Sequence, residues 1–464
     1  MVQSEHRTVG LVEESWDAAG LAAFARLLRQ GLMRAVWPGL WVSLGLMLFV
    51  PTSCFLLLAF SPAAFAQGSA WLSIDSFRQA LQGPTLRGLL DSLFAGAVTS
   101  VLALLVGCWL AWIIQRSTLW GKPLWGIAIW ALLLTPSYLS ALGWESLFES
   151  RGLLAQIGVD PGGAHDLLFG PVGIIWVLAT RGVPFSYLAV AAGLQGVGRE
   201  FEDAARVHGG SRVEALQVTF AILLPAMWSA IAIVFAESIS DFGVASTLAA
   251  GAHFPVATYT LYLAIDSMPI RFPVASAVGW FLVASSALAL LAQYGALRGR
   301  SFAALGGRTR GASTHRFGTV GQVAAQVSLI LFFGLALGVP AIGAITASIL
   351  KDFGAHFSVA NVTLDNYTRA LGSPSLLQPM ILSGKMAAVT ATLAVIFGAF
   401  VGQVLSRRRV GVSGRALDMF LMGAVALPST VLAAGYIFAY NLPVLSALGI
   451  SLYGTVFLLG VAYL

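Results

Sequence analysis

Ten stretches of this chain stay apolar for about twenty residues or more, near 38–60, 90–114, 122–144, 170–194, 220–240, 272–296, 320–348, 381–405, 416–440 and 444–464. A run of that length, wound as a helix, crosses a hydrocarbon core of roughly 30 Å. Only 10% of the 464 residues are charged and 58% are hydrophobic, against about 25% charged in an ordinary soluble domain. The pattern predicts an all-α polytopic transmembrane helical bundle lodged in the lipid bilayer, built from helices rather than barrel strands.

The formal charge of +6 does not call for a nucleic-acid partner, because the basic residues sort by membrane side. With a cytoplasmic N-terminus, the inside segments hold 18 of the 26 Lys and Arg residues, among them Arg116, Arg199, Arg206, Arg298, Arg407 and Arg415. Six lie outside: Arg78, Arg87, Arg151, Arg271, Lys351 and Arg369. Such a bias fixes the expected orientation, N-terminus in the cytoplasm of a multi-pass membrane protein.

The chain also repeats itself. SIDSFRQALQGPTL (73–86) returns as VTLDNYTRALGSPSL (362–376), AVTSVLALLVG (97–107) as AVTATLAVIFG (388–398), and Pro136-Ser137 as Pro428-Ser429. An offset of 290 to 292 held across a loop and two spans marks a tandem duplication. Four segments follow: a cytoplasmic stretch 1–36, a first transmembrane unit 37–297, a Gly/Arg/Ser-rich cytoplasmic linker 298–318, and a second unit 319–464. Six spans per unit give both halves one orientation, with a pseudo-twofold axis along the membrane normal and a pathway between them. By that alignment the second unit stops after its fourth span, so a second polar loop and two further spans are expected beyond Leu464.

Between the fourth and fifth spans lies REFEDAARVHGG (199–210), six titratable side chains in a mostly apolar chain. Phe201, Ala204, Ala205 and His208 share one helical face. Glu200, Glu202 and Asp203 occupy the first turns and Arg206 a later one, as the helix dipole favours. Gly209-Gly210 tolerate a left-handed stop. Two readings fit this pattern: a solvated connection between spans, or a small-residue helix shaped to dock in a partner's groove.

Glu202-Asp203-Ala204-Ala205-Arg206-Val207-His208-Gly209-Gly210-Ser211, followed by Ile222-Leu223-Leu224-Pro225, resembles the EAA loop of binding-protein-dependent ABC transporter permeases. In that family the loop is the coupling helix that contacts the ATPase. The resemblance implies tandem six-span type I permease units, the second incomplete, with ATPase-coupling roles for Glu202, Asp203, Ala204, Ala205, Gly209 and Pro225. Asp203 stands where the motif has Glu, Ala221 where many relatives have proline, and the Ile-x-Leu-Pro element lies three residues further from Gly209 than usual. Ala236-Glu237-Ser238-Ile239-Ser240-Asp241-Phe242-Gly243 is similar to a segment of fused iron(III)-type permeases, which implies import of iron(III) delivered by a periplasmic substrate-binding protein across the bacterial inner membrane. Thiamine, polyamine and phosphonate permeases share this architecture and stay open as alternatives.

Arg181 falls inside the fourth span, where a charge needs a partner or a wet cavity. Glu237 and Asp241 are its candidate partners, either lining the pathway or forming an ion pair that orients two helices. His165, His253 and His356 stand alone in sequence and offer no metal-ligand spacing. Cys54 and Cys108 sit within apolar runs as packing residues. No G-x-x-x-x-G-K-[ST] sequence occurs, so ATP and Mg are expected on a separate ABC ATPase dimer, and the chain itself is expected to hold no enzyme site and no bound cofactor. A gradient-driven secondary transporter is the alternative from another class. It leaves REFEDAARVHGG without a purpose.

Overall fold

The structure, a computed structural model, describes residues 38–196, 204, 207–249, 251–252, 254–297, 315–355, 358–407, 417, 423–424 and 427–463. The N-terminal segment before residue 38 and most of the linker lie outside the described residues. Helices dominate, and among the described residues pairing of extended chain is confined to isolated bridges. Among the described residues seven helices are long and apolar enough to cross a membrane: α1 (Pro38–Leu57), α2 (Gly83–Arg116), α5 (Pro171–Gln195), α6 (Arg212–Ser240), α8 (Phe272–Leu297), α9 (Thr319–Ile349) and α10 (Pro374–Arg407). A bent pair, α3 (Lys122–Leu134) with α4 (Ser137–Phe148), makes an eighth if the two are taken as one span. The shorter α7 (Ala257–Asp266) and α11 (Ser429–Ala439) complete the elements that matter here.

The third span differs from the unbroken run expected at 122–144. Its two helices meet at 93°. Pro136 supplies no N–H to the ladder and drives the residue before it out of the helical region, and Thr135 is indeed extended, with ψ 122°. The last stretch also departs from expectation. Residues 444–464 form no single span: helices Pro443–Ala447 and Val456–Tyr463 flank a turn with Gly449 and Gly454 at φ +72° and +78°. Eight residues of helix rise only about 12 Å. Of the stretch 416–440, the helix Ser429–Ala439 is described and most of the part before residue 427 is not.

The first half closes around α2, α5 and α6. Ala103, Leu104 and Leu110 of α2 pack on Val183, Val190 and Leu194 of α5 and on Leu223 and Val234 of α6. Against them α8 holds the end of α1. The Ser276 hydroxyl donates to the Phe55 carbonyl, and Trp280 Nε1 donates to Leu56 O at 2.8 Å. Both bonds satisfy carbonyls that the end of α1 cannot pair within itself.

The two halves meet through two similar crossings. The segment of α9 that begins at Val339-Pro340 lies on α4, where a β-carbon added to Gly143 would stand 2.2 Å from Pro340 O. α11 lies on α1, where one added to Gly435 would stand 2.7 Å from Pro51 O. Gly143 and Gly435 stand 292 residues apart, the same spacing as Pro136 and Pro428. Each proline follows a π-turn, Gly45–Phe49 in α1 and Gly334–Gly338 in α9. Pro51 leaves the Met47 carbonyl without the backbone donor that an α-helix would supply, and the Tyr436 hydroxyl donates to that carbonyl at 2.8 Å. Tyr440 does the same for Leu46 O at 2.7 Å. α2 and α10, also corresponding, are both 34 residues long.

Candidate functional site

Two regions carry the candidate residues: the polar loop before α6 and a charged cluster inside the bundle. Of the loop residues singled out in sequence, Glu202, Asp203 and Ala205 lie outside the described residues. Ala204, Val207 and His208 belong to a helical turn closed by His208 N donating to Ala204 O at 3.2 Å. Ala204 is exposed, and Val207 is 84% exposed. Gly209 then takes φ +82°, a left-handed conformation that glycine adopts without steric cost. Ala204, Val207 and Gly209 are thus presented on an open surface, with the chain turned sharply behind them.

Immediately after this stop, α6 begins with a reciprocal cap. Ser211 N donates to Glu214 Oε2 at 2.6 Å, and Glu214 N donates to Ser211 Oγ at 3.3 Å. The pattern Ser-x-x-Glu is legible as a capping box, although the sequence reading passed over it. Hydrogen bonds from the Ser211 backbone, and then from its hydroxyl, hold the Glu214 carboxyl below its usual range. A depressed carboxylate stabilises the fold above its unfolded pKa and loses that contribution as the pH falls through the folded one. Replacing Ser211 by Ala is expected to speed amide exchange in the first turn of α6 about fivefold. Hydrogen exchange measured at pH 7 and again below about pH 4 should show the difference between wild type and variant shrinking in acid.

Pro225 is not part of the exposed surface. It lies inside α6, fourteen residues past Ser211, about 21 Å along the helix, and the Ser229 hydroxyl donates to its carbonyl at 2.9 Å.

Inside the bundle, the structure brings Arg181 and Asp241 together. Arg181 Nε stands 3.7 Å from Asp241 Oδ2, with the Arg181 side chain 31% and the Asp241 side chain 10% exposed. Glu237 lies one turn before Asp241 on α6 and feels the Arg181 charge, but its own residue surface is exposed. Leu178, Arg181, Gly182, Phe185, Glu237, Ser238 and Asp241 line a cavity of about 10 Å³, room for about one water molecule. The thirteen residues of α3 rise about 20 Å before the break that touches this cluster. Arg181 itself lies inside α5, one of the candidate membrane spans.

Asp241 ends α6 and holds the next turn. Its carboxylate accepts from Val244 N at 2.8 Å. Arg181 Nη1 donates to Thr135 O at 2.9 Å. Gly243 abuts the start of α4: a β-carbon there would stand 2.3 Å from Ser137 Oγ and 2.6 Å from Tyr138 N. From the second half, Ser429 Oγ donates to Ser240 O at 3.4 Å. The 240–243 turn is therefore flanked by two Pro-Ser helix starts, Pro136-Ser137 and Pro428-Ser429. Sequence reasoning saw that these dipeptides repeat; it did not see that both converge on the acidic segment. Thr135, Ser137, Gly243 and Ser429 are the residues it missed.

Among the other candidates, His165 is hydrogen-bonded to Asp166 at 3.3 Å, while His253 and His356 lie outside the described residues. Among the described residues no three His, Cys, Asp or Glu side chains gather in a way that could hold a metal ion.

No known protein-family model matches the chain. Individual proteins do. It is 24% identical over 401 residues to the putative ferric transport system permease protein FbpB 1 of Haemophilus influenzae, covering 83% of this chain and 61% of that protein. It is 24% identical over 375 residues to the ferric transport system permease protein FbpB of Actinobacillus pleuropneumoniae, covering 78% of this chain and 52% of that one. To the sulfate transport system permease protein CysT of Salmonella typhimurium it is 27% identical over 264 residues, 55% of this chain and 92% of that protein. The chain thus spans between half and two thirds of the length of the two ferric relatives.

Proposed function

This chain is a homologue of the binding-protein-dependent ABC transporter permeases, and we propose that it forms the membrane-spanning subunit of an ATP-driven importer whose cargo is iron(III). The carrying observation is the reach of the ferric relatives. Their likeness extends over 83% and 78% of the chain, across both halves of the sequence repeat, whereas that of the sulfate permease covers 55%. Because that 55% accounts for nearly the whole of CysT, the chain holds more than one permease's length, which supports the tandem division at the linker 298–318.

In this reading the exposed turn ending at Gly209 docks on a separate ATPase dimer, and closure of that dimer on ATP and Mg is passed through the rigidly capped α6. A periplasmic binding protein delivers the ion to the opposite face. Glu237 supports a cationic cargo. A carboxylate with an exposed surface inside an apolar span belongs against water rather than lipid, and Glu237 and Asp241 set two carboxyl groups beside the one Arg181 guanidinium there. Iron(III), a hard cation, takes oxygen ligands such as carboxylates.

A second reading has its own support. Sulfate and molybdenum permeases are also relatives. Uptake by proteoliposomes containing the permease, its ATPase and its binding protein decides between them. ATP-dependent accumulation of radiolabelled iron(III) is expected, falling at least about tenfold in Glu237→Gln, the size of one lost charge contact of about 1.4 kcal/mol. Accumulation of sulfate or molybdate in place of iron would overturn the cargo assignment while leaving the permease assignment intact.

A further inference from the structure

A helix interrupted within a membrane exposes two charged ends. The break at Thr135-Pro136 leaves the partial negative charge of the carbonyl end of α3 beside the partial positive charge of the N–H end of α4. Neither can be hydrated by lipid. The structure places a cation at the first and an anion beside the second: Arg181 Nη1 donates to the Thr135 carbonyl at 2.9 Å, and the turn that the Asp241 carboxylate caps through Val244 N at 2.8 Å abuts the first residues of α4, where a β-carbon on Gly243 would stand 2.3 Å from Ser137 Oγ. The two charges also face each other at 3.7 Å.

We propose that Arg181 and Asp241 are positioning residues for the broken third span, acting as an electrostatic splint whose order, cation on α3 and anion on α4, matters as much as their mutual attraction. A simple ion pair is indifferent to which partner carries which sign. A splint is not. Exchanging the two would set an aspartate against the Thr135 carbonyl and an arginine against the Val244 N–H, which needs an acceptor. Because Gly243 abuts Ser137 and Tyr138, and Ser429 of the other half bonds to Ser240, fixing the bend also fixes the seam where the two halves meet.

The test compares Arg181→Gln, Asp241→Asn, the double Arg181→Gln/Asp241→Asn and the exchange Arg181→Asp/Asp241→Arg, in the full chain purified into nanodiscs. Two readouts are taken. One is the thermal unfolding midpoint. The other is the distance distribution between spin labels at Ile127→Cys and Leu139→Cys, on exposed positions either side of the bend, in a background with Cys54 and Cys108 replaced by Ala. Each single change should lower the midpoint by on the order of 5 °C and broaden the distance distribution. The neutral double, which keeps hydrogen-bonding groups at both helix ends, should recover most of the loss. The exchange should be no better than either single variant. Recovery of both readouts by the exchange would reduce the pair to an ordinary ion pair and overturn the proposal, as would an unchanged distance distribution in all four variants. Neither readout uses a cargo, so failure here is separable from failure of the iron assignment.

Discussion

Replacing Gly209 by Pro is expected to abolish binding-protein-stimulated ATP hydrolysis by the proposed transporter while the permease still inserts in the membrane. Gly209 holds φ +82°, whereas a proline ring fixes φ near −65°. The turn cannot form in its present shape. Proline also disfavours the helical region for the residue before it, and His208 closes the helical turn through its bond to Ala204 O. The change would therefore unwind the exposed surface from its C-terminal end and redirect the chain entering the Ser211–Glu214 cap. Two further substitutions grade the effect. Ala at 209 meets nothing within 4 Å, so its penalty is confined to the left-handed conformation, about 1–2 kcal/mol. Asn tolerates that conformation better. Stimulated hydrolysis should fall in the order glycine, asparagine, alanine, proline. If all four hydrolyse ATP alike under binding-protein stimulation, the loop is only a connection, and the coupling role passes elsewhere.

That ordering rests on a loop whose glycine stop was legible in sequence while its anchoring was not. The charged segment and its glycine stop stand out against an apolar chain, since polar residues are costly in lipid and occur there only for a reason. The spans were legible for the same cause: a long apolar run in lipid has few alternatives to a helix. Breaks inside the runs were harder. Pro136 and Pro184 both lie in apolar stretches, yet the first bends its span by 93° and the second sits inside a continuous helix. What separates them is tertiary. Arg181 and the 240–243 turn supply partners for the ends exposed at Thr135-Pro136, and those partners lie 46 residues or more away in the chain. Arg181 and Asp241 were recognisable as candidates because charge inside a span is rare; that they serve two helix ends is visible only with Thr135 and Ser137 in place. Gly449 and Gly454 offered a local signal that the final stretch would not be one helix, and composition alone outweighed it.

Gly143→Leu and Gly435→Leu should each prevent the two halves from closing on one another, with nearly equal severity. At both positions the obstacle is backbone: the Pro340 carbonyl 2.2 Å from a β-carbon on Gly143, and the Pro51 carbonyl 2.7 Å from one on Gly435. A side-chain neighbour could rotate away, but a backbone oxygen can move only if its helix moves. Overpacking of this kind costs roughly 3 kcal/mol or more, enough to separate α4 from α9, or α11 from α1. Displacing α11 has a further consequence, because the Tyr436 hydroxyl would withdraw from Met47 O, a carbonyl that Pro51 deprives of its backbone donor. Gly126→Leu provides the control, since Gly126 on α3 has nothing within 4 Å and the added side chain would meet lipid. Thermal midpoints and the monodisperse fraction after detergent extraction should match wild type for Gly126→Leu and drop sharply for the other two. A wild-type midpoint in Gly435→Leu alone would show that the two crossings are not equivalent, and that the halves are held at α4 and α9 with the α1–α11 contact left free to part during transport.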